Sequence, residues 1–272
     1  LFLAALTVAV LGTWARRLTG RTWLGLLIAA AYASSPEVFV RSSYGGYFAI
    51  GQFAVLMILL ADSPRELFLA GAFAALADHK LVFLPVALAA WQLHRDPKRP
   101  ALHPAAAGFA AGTAIFWIWG LSIDAGAFWL DHVRSHLLDR ATHHNPLGYG
   151  GYPGPFGLWL EFSRHTGGVL LPLGAAALAA GLRRKDEKPP LGAWAAWMLL
   201  LALAFTLVDW RQTKHLAPLL LPLFMVPARW AAVSRVGLRV TAVVLFVVAA
   251  WNLQAVWALC HHFAGFTITP AW

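Results

Sequence analysis

Residues 66–93 read ELFLAGAFAALADHKLVFLPVALAAWQL, and the fold turns on whether this run is one helix or two. As one helix it is long enough to cross a bilayer, but it carries Asp78, His79 and Lys80 through its middle. As two, residues 66–77 and 81–93 each cover about 18–20 Å at a rise of about 1.5 Å per residue, short of a hydrocarbon core of about 30 Å.

The remaining sequence calls for an apolar solvent around either form. Its 272 residues are 60% hydrophobic and 12% charged, with a mean hydropathy of +0.63, and no water-soluble core hides that much apolar surface. Fourteen Trp and 17 Phe suit bilayer interfaces and helix packing. Apolar runs at 1–15, 22–40, 46–61, 66–77, 81–93, 104–122, 167–182, 191–208, 214–228 and 237–260 predict about ten spans, hence an all-α, polytopic transmembrane bundle forming one domain over 1–272. The net charge of +9 does not point to nucleic acid. The cations sit in short clusters between apolar runs, where they set orientation and meet membrane lipids. The one cysteine, Cys260, leaves neither an internal disulfide nor a cysteine metal site.

Charge then decides the 66–93 question. Two helices place Arg16, Arg17, Arg21, Arg65, Arg95, Lys98, Arg99, Arg183, Arg184, Lys185, Lys188, Arg229, Arg235 and Arg239 on one face, 14 of the 21 Lys and Arg residues. That obeys the positive-inside rule, and a merged helix violates it. The other, external face receives most of the histidines. Under this topology the first segment enters from outside, so a further span and an external loop are expected before Leu1.

The long external connection is 123–166. Its first half, Asp124 to Arg140, spaces Phe128, Trp129, Val133, Leu137 and Leu138 on one face, with Asp131, His132, Arg134, Ser135, Asp139 and Arg140 elsewhere, and predicts an amphipathic interfacial helix. Its second half, His143 to Pro155, is dense in Gly, Pro and Tyr and predicts a non-helical loop over a cavity. Neutralising a lipid phosphate needs cations, and deprotonating a hydroxyl beside it needs a carboxylate or imidazole. Lys80 and Lys214 lie where apolar runs meet the external face, with Arg41 and Arg211 beside that boundary. These four are the candidate phosphate ligands. Tyr44, His79, His143, His144, Tyr149, Tyr152, Asp209 and His215 are candidates for the cavity wall. His143-His144, and His132 with His136, are weak metal signals for want of a third ligand; no metal site or cofactor is assigned, and a divalent metal stays an open alternative. Glu161, Arg164 and His165 read as loop-stabilising, and His261-His262 as interfacial.

Several stretches, in order, carry a resemblance. Thr13-Trp14-Ala15-Arg16-Arg17-Leu18-Thr19-Gly20-Arg21 is followed by a span ending at Ser35-Pro36, then by Leu69-Ala70-Gly71 through Ala77-Asp78-His79-Lys80 into Leu84-Pro85, and late by Lys214-His215-Leu216-Ala217-Pro218-Leu219-Leu220-Leu221-Pro222. This order resembles the bacterial GT-C class membrane glycosyltransferases of the dolichyl-phosphate-mannose mannosyltransferase-like, RgtA/B/C/D-like group. The resemblance implies transfer of a sugar from a polyprenyl-phosphate carrier to an envelope glycan, lipid or protein, at the external face of a bacterial cytoplasmic membrane. It also implies a catalytic Asp in an external loop before the first span seen here. Within the chain, Glu37 and Asp78 are the nearest substitutes for that acid. A transporter or lipid flippase, or a non-catalytic partner in envelope assembly, are the alternatives.

Overall fold

Every regular element among the described residues is helical. The computed structural model describes residues 2–43, 48–96, 103–139, 154–166, 168–182, 191–207 and 216–264. In chain order these form α1 (Phe2–Thr19), α2 (Thr22–Ala33), α3 (Pro36–Ser43), α4 (Phe48–Leu60), α5 (Pro64–Ala77), a 3-10 turn (His79–Val82), α6 (Phe83–Arg95), α7 (Pro104–Phe128) with a π-helical continuation (Trp129–Asp139), α8 (Gly154–His165), α9 (Leu170–Leu182), α10 (Leu191–Leu207), a 3-10 turn (Ala217–Leu219), α11 (Leu220–Val233) and α12 (Arg235–Ala264).

Residues 66–93 form two separate helices. A capping box starts α5: the Ser63 hydroxyl accepts the Glu66 N–H at 3.2 Å, and the Glu66 carboxylate accepts the Ser63 N–H at 3.1 Å. Pro64 takes the first helical position, where its missing N–H costs nothing. The helix ends at Ala77, and extended Asp78 leads into the 3-10 turn.

Among the described residues, two helical stretches, Pro104–Ser135 and Arg235–Ala258, are long and apolar enough to cross a membrane by length and composition. Their most apolar windows are only 22% and 33% buried, so they are not core helices of the usual kind. What they expose is Ile118, Trp119 and Ile123 on one and Val243, Phe246 and Trp257 on the other. The remaining apolar helices are shorter, Thr22–Ala33 and Phe48–Leu60 among them.

Four expected boundaries are corrected. The span 22–40 is broken into α2 and α3, because Pro36 has no N–H to donate and drives Ser35 out of the helical region. The run 104–122 continues through a kink at Asp124 (φ −152°, ψ 96°), whose Oδ1 caps the next turn by accepting the Ala127 N–H at 2.9 Å. Residues 129–139 continue α7 as a π-helix rather than standing alone as an amphipathic helix, and Trp129 and Phe128, expected on one face, divide between exposed and buried. Finally, α8 begins at Gly154, inside the stretch expected to be non-helical, because Pro155 falls in the first turn, where proline is tolerated.

The chain divides into two compact units. One contains α1, α2, α3, α9, α12 and most of α11. Here α1 and α2 pack antiparallel after a turn at Gly20 (φ 68°), with Gly12 against Ala29 and Gly25 against Arg16 and Gly12, where a Cβ would clash. Breaking the helix at Pro36 turns the Ser35 N–H to Tyr32 O at 3.1 Å and frees the Ala31 carbonyl. The Asn252 Nδ2 of α12 donates to that carbonyl at 3.3 Å, as does the Ser34 hydroxyl. Tyr32 and Phe224 meet edge to face at 5.6 Å, and the Thr241 hydroxyl donates to Pro227 O at 3.2 Å, tying α12 to α11.

The other unit contains α4 to α7, most of α8, α10 and the start of α11. Its centre is a backbone-to-backbone contact of α5 with α7. Gly71 lies on the Ala105 main chain, Gly108 on that of Phe68, and Gly112, one turn on, on Ala72 and Ala75. Advancing a turn along α7 advances a turn along α5, so these helices run parallel and the chain reverses between them. Helix α6 packs on α10 and α7, with the Trp91 ring covering Gly192. Phe53 of α4 meets Phe73 of α5 edge to face at 6.3 Å, and Trp159 Nε1 of α8 donates to the Thr206 hydroxyl of α10 at 2.9 Å.

Replacing Gly108 by Leu is expected to cost at least the roughly 1–3 kcal/mol of ordinary overpacking, because main chain stands in the way. Gly51→Ala, where nothing lies within 4 Å, should instead be neutral or gain about 0.4–1 kcal/mol. Thermal unfolding of the detergent-solubilised protein measures both, and equal effects would refute the packing.

His103 generates a pH prediction. Its Nδ1 accepts the Ala105 N–H at 3.2 Å and so caps α7, and burial holds its pKa below the usual imidazole value. The folded state therefore binds fewer protons than the unfolded one. The stabilisation is full above about pH 6.5, the ordinary value, and is lost as pH falls below it. The loss should approach the roughly 1 kcal/mol of a helix cap, and His103→Asn, whose acceptor does not titrate, should abolish this dependence in thermal melts.

Candidate functional site

In the second unit an ion pair lies at the end of α5. Asp78 Oδ1 accepts the Lys80 N–H at 3.0 Å, and its Oδ2 stands 3.5 Å from Lys80 Nζ. One carboxylate thus caps the 3-10 turn and balances the lysine charge. Both side chains are nearly enclosed, 11% exposed for Asp78 and 13% for Lys80. His79, between them, is exposed. Leu81 and Leu84 are buried beneath the turn and fix its seat.

The α5–α7 pairing sets the depth of this ion pair. Gly112 faces Ala72 and Ala75, so Asp78 lies level with residues 115–118 of α7. At about 1.5 Å per residue, that is about 10 Å short of the kink at Asp124. The ion pair is recessed beside α7. Toward the end of α7, His132 stacks on Phe128 with ring centroids 4.4 Å apart, and its Nδ1 lies 3.4 Å from Asp131 Oδ2.

A buried polar anchor elsewhere in this unit was missed by sequence reasoning. Gln52, buried in α4, donates through Nε2 to Ala217 O at 2.8 Å. This anchors the 3-10 turn that follows Lys214-His215. The signal was available, because Gln52 is the one strongly polar side chain within residues 48–60. Ala217, Pro218 and Leu219 are buried there, so the anchored turn is packed on its surroundings as well as hydrogen-bonded.

Glu37 lies in the first turn of α3, in the first unit, and is buried. A carboxylate is favoured there by the helix dipole. The structure therefore assigns Glu37 and the Asp78–Lys80 pair to different units. Of the other residues, Arg41 falls in α3 with its side chain outside the described residues, and Tyr44, His143, His144, Tyr149, Tyr152, Asp209, Arg211, Lys214 and His215 lie outside them altogether. Among the described residues, no three His, Cys, Asp or Glu side chains come together as a metal site would require.

Chemically, the recessed lysine supplies a fixed positive charge with a carboxylate at hand. A phosphate arriving there would compete with Asp78 for Lys80, and Asp78 would then be available as a proton acceptor. No known protein family, curated protein or solved structure matches this chain.

Truncating either member of the pair leaves a poorly hydrated charge. Lys80→Ala and Asp78→Ala should each destabilise the protein, and the double variant should lose less than their sum, with a coupling of about 0.5–3 kcal/mol. Additive losses in a thermal-unfolding double-mutant cycle would show that the pair is not an interacting unit.

Proposed function

We propose that the chain is a multi-pass protein of a bacterial cytoplasmic membrane and acts as a glycosyltransferase, moving a sugar from a polyprenyl-phosphate carrier to an envelope acceptor on the external face. The carrying observation is the nearly enclosed Asp78–Lys80 pair, recessed beside α7. Ionisable groups at membrane depth are expensive and are seldom kept without a task.

The membrane setting is supported by the exposed apolar faces of α7 and α12, which water would penalise at roughly 25 cal/mol per Å². Parallel α5 and α7 bring Arg65 and Pro104 to one end, with Lys80 toward the other, which supports an orientation by the positive-inside rule. The enzyme reading is supported by where the motifs fall. The Arg16-Arg17 motif closes α1, Ser35-Pro36 breaks α2 from α3, Asp78-His79-Lys80 separates α5 from α6, and the last motif runs through the turn held by Gln52. In this reading Lys80, with Lys214, Arg41 and Arg211, neutralises the carrier phosphate. Within the chain, Glu37 and Asp78 are the carboxylates that could serve as the acceptor base.

One observation favours a transporter instead. Helix α2 breaks after 12 residues, about 18 Å along, and the buried Glu37 follows the break. Broken helices with ionisable groups at depth are common in transporters.

Reconstituted protein should transfer labelled sugar from polyprenyl-phosphate carriers. Lys80→Ala and Lys214→Ala should each lower turnover by about 10²–10³, the usual loss for a donor that stabilises developing charge. Lys80→Arg should retain more. Turnover unchanged in both alanine variants would remove these lysines from the site, and solute counterflow without sugar transfer would favour the transporter.

A further inference from the structure

Between α1 and α2 runs a groove of about 420 Å³, in the size range of small-molecule sites. Its floor is made by Gly12, Gly25 and Ala29, where the helices approach too closely for larger side chains. Val8 and Leu26 form its apolar sides, and Arg16 stands at one end with the hydroxyls of Thr13 and Thr22 nearby. Arg17 and Arg21 flank that end in sequence, and all three arginines are exposed. No acidic residue precedes Glu37, and no ion pair among the described residues involves these arginines.

An apolar trough ending in uncompensated cations matches a molecule with an acyl chain and an anionic head. We propose that this groove is a binding site for one anionic phospholipid, with an acyl chain along Gly12, Gly25 and Ala29 and the phosphate held by Arg16, assisted by Arg17 and Arg21. The occupant is a lipid rather than a peptide helix because the open end offers three positive charges and the walls offer no hydrogen-bonding groups beyond two threonines. A zwitterionic lipid fills the trough equally well but gains less from the arginines, each of which adds about fivefold for an anionic head near the surface. The site rests on the membrane setting proposed above and is independent of sugar transfer.

Native mass spectrometry of the whole chain in non-ionic detergent, titrated with phosphatidylglycerol and with phosphatidylcholine of the same acyl chains, tests it. One phosphatidylglycerol should bind more tightly than phosphatidylcholine. Arg16→Ala should lower that affinity about fivefold, and Ala9→Trp, which fills the groove from its exposed wall, should abolish the preference. Arg239→Ala, an exposed cation on α12, should leave it unchanged, and size-exclusion profiles confirm that each variant is folded. Equal binding of the two lipids, an equal loss in Arg239→Ala, or full binding in Ala9→Trp would overturn the site. Extraction of the chain without detergent would instead overturn the membrane setting itself.

Discussion

The contact on which the second unit depends is main chain against main chain. Gly71, Gly108 and Gly112 let main chain approach main chain along the α5–α7 seam, and the small residues Ala70, Ala74, Ala75 and Ala105 keep it narrow and buried. In lipid, apolar side chains gain nothing by leaving the solvent, so close packing of backbones is the available source of association. The cost of glycine in a helix, about 1 kcal/mol each relative to alanine, is offset only if the approach is made along the whole seam.

That seam fixes two things beyond itself. Its direction is parallel, so the chain must turn back between Ala77 and Pro104, which the 3-10 turn and α6 accomplish. Its register sets how far α5 reaches, and α5 stops beside the middle third of α7. The Asp78–Lys80 pair is consequently carried inward, and its near enclosure follows from a short helix pinned to a long one. Two carboxylate oxygens serve two donors there, so the turn is held by the same interaction that neutralises the lysine.

The sequence made the helical class legible, since apolar runs of this length and frequency have no other stable form. It also made the division at Asp78 legible, because charge on the flanking connections counted against a merged helix. Small residues at 71, 108 and 112 were visible but their pairing was not, since helical spacing alone does not name the partner. The break at Pro36 was legible in the motif order, which ends a span at Ser35-Pro36, but not in the apolar pattern, which runs on to residue 40 because apolar residues flank the proline on both sides. Likewise the second half of 123–166 was judged by its Gly and Pro content, which hid a helix that starts with both. Of the candidate site, the Asp78–Lys80 neighbours were legible as adjacent charges; their depth was not, because it is a property of register between helices distant in sequence. Gln52 was overlooked for the opposite reason, as a lone polar residue in a run otherwise read for its apolar content.

Gln52 and Asn252 show why such lone residues should be read first. Each is a carboxamide in the middle of an apolar helix, each is fully or nearly enclosed, and each donates to a main-chain carbonyl at a break in a distant helix, Ala217 O in one case and Ala31 O in the other. A carbonyl released by a broken helix has no water to turn to in a hydrocarbon setting, and leaving it unpaired costs several kcal/mol. Each carbonyl has a local donor, the Ser34 hydroxyl at Ala31 O and the Leu220 N–H at Ala217 O, and a carboxamide from elsewhere in the bundle adds a second without introducing a charge. The break and its donor thus form one device divided between two stretches of sequence: Asn252 ties the break at Pro36, and Gln52 the turn at Ala217, to a helix distant in sequence. Irregular backbone at these places is held rather than tolerated, and the same two places carry Ser35-Pro36 and the Lys214 to Pro222 motif. The polar residues that look most out of place in the apolar runs are the ones that keep the motif-bearing breaks in position.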